Sequence, residues 1–179
     1  MKLNLGSRSY YKYTNRDSEW CTVDLVDGDI IHDLRQIPWP FEADSIDCIL
    51  ASHILEHVTK DKGHQFIVEC HRILKPGGAI SIAVPDFDIL LEAIKNGHNA
   101  IDGLSIMYVG VPIIKNQDYT NDTAAHQYVY SYESLAWVLQ QVGFINITRV
   151  DFDTNNELFK GIHNPAVKNV SLYMEAQKS

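Results

Sequence analysis

Residues 44–86, DSIDCILASHILEHVTKDKGHQFIVECHRILKPGGAISIAVPD, decide the fold. Ser45–Ala51 is a compact apolar run, the pattern of a strand buried on both faces. Phe66, Ile67, Cys70, Ile73 and Leu74 recur at helical spacing and predict one apolar helix face. Thr59 or Asp61 is placed to cap that helix, and Pro76-Gly77-Gly78 to end it. Ala79–Val84 predicts a second buried strand. Two buried strands joined by a covering helix form a right-handed parallel βαβ unit.

Towards the N-terminus, Lys2–Leu5 predicts a strand closed by Gly6, and Cys21–Leu25 a second strand. A third is expected at Asp29–His32. A glycine at the end of a first strand lets the backbone turn sharply towards a ligand. Asp24 follows 18 positions later, near the spacing at which an acidic side chain bonds the hydroxyls of an adenosine ribose. Asp24 also reads as a turn residue before Val26-Asp27-Gly28. The loop Gly6-Ser7-Arg8-Ser9-Tyr10 keeps only the first glycine of a nucleotide-binding loop. Arg8 either turns outward, clamps a carboxylate, or fills the pocket.

Towards the C-terminus, a helix is expected at Phe87–Asn96 with Phe87, Leu90, Leu91 and Ile94 on one face. Residues 98–127 mix apolar and polar pieces, and a connection of that length reads as a lid or substrate-recognition insertion. Ser131 is placed to cap a helix carrying Leu135, Val138, Leu139 and Val142, with Gly143 as its stop. Phe144–Phe152 and Lys168–Gln177 predict the last strands, separated by a polar loop at 154–165.

The whole chain, 179 residues with 45% hydrophobic content, fits one domain over 1–179. A net charge of −8 argues against nucleic acid as a partner, because phosphate binding relies on clustered Lys and Arg. Cys21, Cys48 and Cys70 are odd in number and fall in predicted elements, as packing residues of a reducing compartment do. With no apolar run of membrane-spanning length and no leader pattern, a cytoplasmic protein is expected. His53-Ile54-Leu55-Glu56-His57 spells the inverted zinc-protease pattern, but that pattern needs a helix and a remote acidic ligand. A strand leading into these residues argues for no metal.

The ordered set "SIDCILASHILEH … ECHRILKPGGAISIAVPD" resembles the second half of class I S-adenosylmethionine-dependent methyltransferases. In particular it is similar to a small branch with a Leu-Glu-His signature and an R-x-L-K-P-G-G turn. The resemblance implies an α/β, Rossmann-like seven-stranded sheet, mostly parallel, in the order 3-2-1-4-5-7-6 with the last strand antiparallel and helices on both faces. It also implies S-adenosylmethionine as cofactor. Gly6, Ser7 and Arg8 would hold its methionine end, with the backbone near Ser52 and His53 alongside. Asp24, with Leu25 beside it, would hold the ribose, and Asp33 and Leu34 the adenine. His53 and His126 would stand on the acceptor side, His126 as general base, since an imidazole titrates near neutral pH. The acceptor is expected to be an oxygen or nitrogen of a small molecule or glycan-type compound, and the insertion is suited to a homodimer contact. Two other readings stay open: a non-catalytic relative acting through a protein partner, and a nicotinamide-dependent enzyme, which Asp24 and a parallel sheet would also suit.

Overall fold

The computed structural model describes residues 1–6, 19–96 and 126–179. Ser7, Arg8 and nearly all of the 98–127 insertion lie outside the described residues.

Seven strands form one sheet: β1 (Lys2–Leu5), β2 (Trp20–Asp24), β3 (Ile30–Ile31), β4 (Ile46–Ser52), β5 (Leu74–Pro85), β6 (Phe144–Val150) and β7 (Ser171–Lys178). Their order is β3-β2-β1-β4-β5-β7-β6. Pairing is parallel from β3 across to β5, and β7 runs antiparallel to both of its neighbours. The helices are α1 (Lys60–Ile73), α2 (Phe87–Lys95) and α3 (Tyr132–Val142).

Strand alternation divides the core. Leu3, Leu5, Ile49, Ala51, Ile80, Ile82 and Val84 point to one face. Phe66, Ile67, Cys70 and Ile73 of α1 and Leu135 and Leu139 of α3 pack there. On the other face Cys48 and Ala79 are covered by Phe159, with Trp20 and Ile162 beside them.

The helix ends follow from local chemistry. Thr59 caps α1 by accepting from the Lys62 N–H, and Asp86 caps α2 by accepting from Asp88. Ser131 and Ser134 form a reciprocal capping box on α3, which ends on Gly143 at φ 107°. Pro76-Gly77-Gly78 is not the stop of α1. The helix ends at Ile73, and Leu74 is already extended. Ile46 pairs with Leu74 and Cys48 with Ala79, so Lys75–Gly78 bulge out opposite Asp47. The Lys75 ammonium ties that bulge to Asp47 at 2.6 Å.

Several boundaries differ from the sequence expectation. β3 is only two residues long, β5 begins early at Leu74, β6 ends at Val150, and β7 begins at Ser171 with Val170 49% exposed. Because β7 is sandwiched between β5 and β6, Tyr173 is buried along with Leu172 and Met174.

Candidate active site

The carboxyl ends of β1, β2 and β4 lie side by side, with Leu5 paired to both Val23 and Ala51. Gly6 turns away from β1 at φ +69°, its N–H donating to the Val23 carbonyl at 2.8 Å. A Cβ there would sit 2.6 Å from Ile54 Cδ1, so glycine serves both the left-handed turn and the close approach of Ile54.

Asp24 closes β2 and is buried; its Oδ1 accepts from the Val26 N–H at 3.1 Å, as the turn reading expects. Beside it Leu25 is 45%, Val26 80% and Ile31 59% exposed, an apolar edge at the mouth of the crevice. Asp33 is clamped by Arg35, whose Nε and Nη2 donate to its two carboxylate oxygens at 2.9 and 3.0 Å. That hydrogen bonding holds the Asp33 carboxyl below its usual range. Leu34 packs into the core, and its carbonyl accepts from Trp39 Nε1 at 3.1 Å.

A clamp that sequence reading missed holds this segment. Glu69 of α1 accepts from the Trp39 N–H at 2.8 Å and from Arg72 Nη2 at 2.8 Å. Arg72 in turn donates to the carbonyls of Phe41 and Trp39. Arg72 is the arginine of the R-x-L-K-P-G-G motif, so that motif fixes the loop between β3 and β4 to α1.

Ser52 ends β4 and is buried, opposite Ala83 of β5. His53 follows at φ +54°, with its N–H on the Ala83 carbonyl. Its ring is held between two partners, Glu56 Oε1 at 2.9 Å from Nδ1 and Ser171 Oγ at 2.8 Å from Nε2. The Ser171 hydroxyl also contacts the Val167 carbonyl at 2.8 Å. Both ring nitrogens of His53 are thus engaged, one by Glu56 and one by Ser171.

Glu56 is 1% exposed. Burial opposes its ionisation, but the hydrogen bond and charge of His53, with His57 adding to them, outweigh burial and keep the carboxyl below its usual value. Its Oε2 is buried without a hydrogen-bond partner. The Glu56 carbonyl accepts from the N–H groups of Gln127 and Tyr128 at 2.7 and 3.3 Å, which brings His126 to the site. His126 Nε2 lies 4.0 Å from Glu56 Oε1, and its ring meets that of His57 edge to face at 4.8 Å. The H-x-x-E-H run thus spans a strand end and the one-turn 3-10 helix Leu55–His57, not the helix the zinc-protease pattern needs.

Behind His53, on the opposite face of the sheet from α1, His163 shares a 2.9 Å hydrogen bond with Ser81. Burial, helped by the charge of His53, pushes the His163 pKa down to about 4. Neither Ser171 nor His163 carried a sequence signal, because each meets its partner only through the antiparallel return of β7.

Residues 7–82 match the methyltransferase domain family. No curated protein matches the chain by sequence. Among solved structures, a SAM-dependent methyltransferase from Archaeoglobus fulgidus is similar at a TM-score of 0.64 and 15% identity, covering 99% of this chain and 85% of that one. A protein from Thermotoga maritima, described as a possible histamine N-methyltransferase, is similar at 0.58 and 17%, covering 99% and 82%. The Burkholderia thailandensis 1,6-didemethyltoxoflavin-N1-methyltransferase, solved with 1,6-didemethyltoxoflavin and S-adenosylhomocysteine, is similar at 0.55 and 14%, covering 99% and 70%. Their shared architecture is the seven-stranded sheet described above.

Proposed function

We propose that this chain is a class I S-adenosylmethionine-dependent methyltransferase that moves a methyl group to an oxygen or nitrogen of a small-molecule or glycan-type acceptor in the cytoplasm. S-adenosylmethionine, when bound, would supply a methyl already activated on a sulfonium, with S-adenosylhomocysteine as the leaving group.

The residues at the crevice fit the cofactor. Gly6 presents turned backbone where the methionine end would lie, alongside the Ser52–His53 backbone; Ser7 and Arg8, assigned to the same end by the resemblance, lie outside the described residues. Asp24 would bond the ribose, and Leu25 and Ile31 would offer an apolar edge to a purine. Leu34 backs the adenine end from the core, and Asp33 reaches the adenine amino group only by giving up a bond to Arg35.

The protein's own task is alignment and proton removal. His126, held to Glu56 through the 127–128 backbone, would take the acceptor's proton. The observation that carries the reading is the junction of Gly6, Asp24 and the β4 end at the point where strand order reverses, the place where open α/β sheets bind ligands.

The test is S-adenosylhomocysteine release from S-adenosylmethionine across a panel of small hydroxyl and amine acceptors and free glycans. Release that depends on one acceptor class, and falls at least tenfold in Asp24→Ala, supports the reading. Cofactor binding without release on any acceptor favours the non-catalytic relative.

A further inference from the structure

We propose that Glu56, His57 and His126 bind one divalent transition-metal ion of the zinc, cobalt or iron type. One ligand atom from each of the three lies within 4.8 Å of the others, and this is the one such cluster among the described residues. Zinc takes nitrogen at about 2.0–2.1 Å and carboxylate oxygen at about 2.0–2.2 Å, so its ligands stand roughly 3–3.5 Å apart. Side-chain rotations that draw the three groups in by about 1 Å would close that gap.

Three independent features favour an ion here. Glu56 Oε2 is buried with no hydrogen-bond partner, a costly arrangement for a carboxylate oxygen and one that a cation would relieve. His53 holds the other oxygen of Glu56 and is itself anchored on Ser171, the kind of outer support that orients ligating carboxylates. The Glu56 carbonyl pins residues 127 and 128, so His126 is brought to Glu56 by backbone hydrogen bonds as well as by its ring.

The donor set selects the ion. Two imidazoles and one carboxylate suit borderline transition metals, whereas magnesium and calcium take oxygen donors. Glu56 and the His126 side chain are almost fully buried while His57 is half-buried, so His57 is the more exposed of the three ligands. Three protein ligands leave a position for a further donor atom. The inference departs from the sequence expectation of no metal, because His126 joins the pair Glu56 and His57 only through the fold.

Any catalytic use of the ion rests on the methyl-transfer reading. An acceptor oxygen or nitrogen at the open position would be more acidic, its proton would pass to solvent, and His126 would serve as ligand in place of base.

The experiment needs no acceptor and no cofactor. The chelator-treated full-length protein is titrated with cobalt(II), and visible absorption is read. The expected result is a ligand-field band that saturates at one equivalent, is bleached by zinc(II) and is unmoved by millimolar magnesium. His57→Ala and His126→Ala, each checked for folding by circular dichroism, should weaken the titration at least tenfold. A second measurement uses the unmutated protein: X-ray absorption at the zinc edge should show two imidazole ligands. No saturating band, unaltered titrations in both variants, or a zinc shell of water oxygens alone would each overturn the proposal. Loss of S-adenosylhomocysteine binding with the cobalt band intact would instead count against the cofactor reading alone.

Discussion

The two ends of the crevice are built by different physics. The end proposed for the cofactor is made of backbone and local turns: Gly6 at positive φ, Asp24 accepting from a residue two positions on, Asp33 clamped by a residue two positions on. The end proposed for the acceptor is made of a buried carboxylate and its partners, some of them distant: Glu56 between His53 and His126, and His53 on Ser171, 118 positions away. Local turns are cheap to form and shape a generic nucleotide seat. Buried charges are costly unless every partner is in place, so they fix one geometry.

The largest effect should come from the acceptor end. Glu56→Ala breaks the largely buried Glu56–His53 pair, and breaking such a pair costs about 3–5 kcal/mol. Urea unfolding should show that loss. A change under about 0.5 kcal/mol, typical of a surface substitution, would break the contrast.

Next comes acid. His163 has a folded pKa of about 4 against an unfolded value near 6.5. The unfolded chain therefore binds the proton first, and stability falls as pH drops from about 6.5 to about 4, by about 3 kcal/mol in total. Above pH 6.5 this residue contributes no slope. Urea midpoints of the native chain and His163→Gln, compared at pH 7 and pH 4, should differ in slope over that window. Parallel slopes would mean that His163 is not held neutral by burial and His53.

At the cofactor end, Gly6→Ala should cost about 1–2 kcal/mol, from left-handed strain and the approach to Ile54. Adding Ile54→Ala relieves the contact but not the strain, so a partial rescue is expected in thermal unfolding. Full rescue would show that crowding by Ile54, not the turn, demands the glycine.

The smallest effect belongs to Arg35→Ala. The pair with Asp33 is only partly exposed, but as an ion pair near the surface it is worth about 0–1 kcal/mol. Its signature is the Asp33 carboxyl, whose pKa should rise towards its ordinary range once Arg35 is gone, read by carbon-detected NMR titration. An unmoved carboxyl would mean that Arg35 does not hold it.

This contrast also explains what the sequence could tell. The βαβ unit and the caps at Thr59 and Ser131 rest on periodicity and on neighbours within a few residues, and they were legible; the strand order came only from the family resemblance, because it is set by pairing between distant segments. The placing of Gly6 and Asp24 at strand ends was legible for the same reason. The Pro76-Gly77-Gly78 turn was misread as a helix stop, because whether it ends a helix or bulges from a strand depends on Asp47 across the sheet. Glu69 and Arg72 sit on a helix whose apolar face was read correctly, yet nothing local says that they grip the Trp39–Phe41 backbone. The contact of His53 with Ser171 had no local signal, because it depends on the return of β7 118 positions later. His126 was named as a base from a family likeness, and its approach to Glu56 and His57 became visible only in three dimensions.

Calorimetric titration with S-adenosylhomocysteine, run on the native chain and on Asp24→Ala, tests the central claim most directly. Micromolar binding that weakens by about tenfold or more in Asp24→Ala is the predicted result, since a hydrogen bond to a charged group is worth about 1.5–3 kcal/mol. No binding by the native chain, or equal binding by both, would contradict the placing of the cofactor at the ends of β1, β2 and β4.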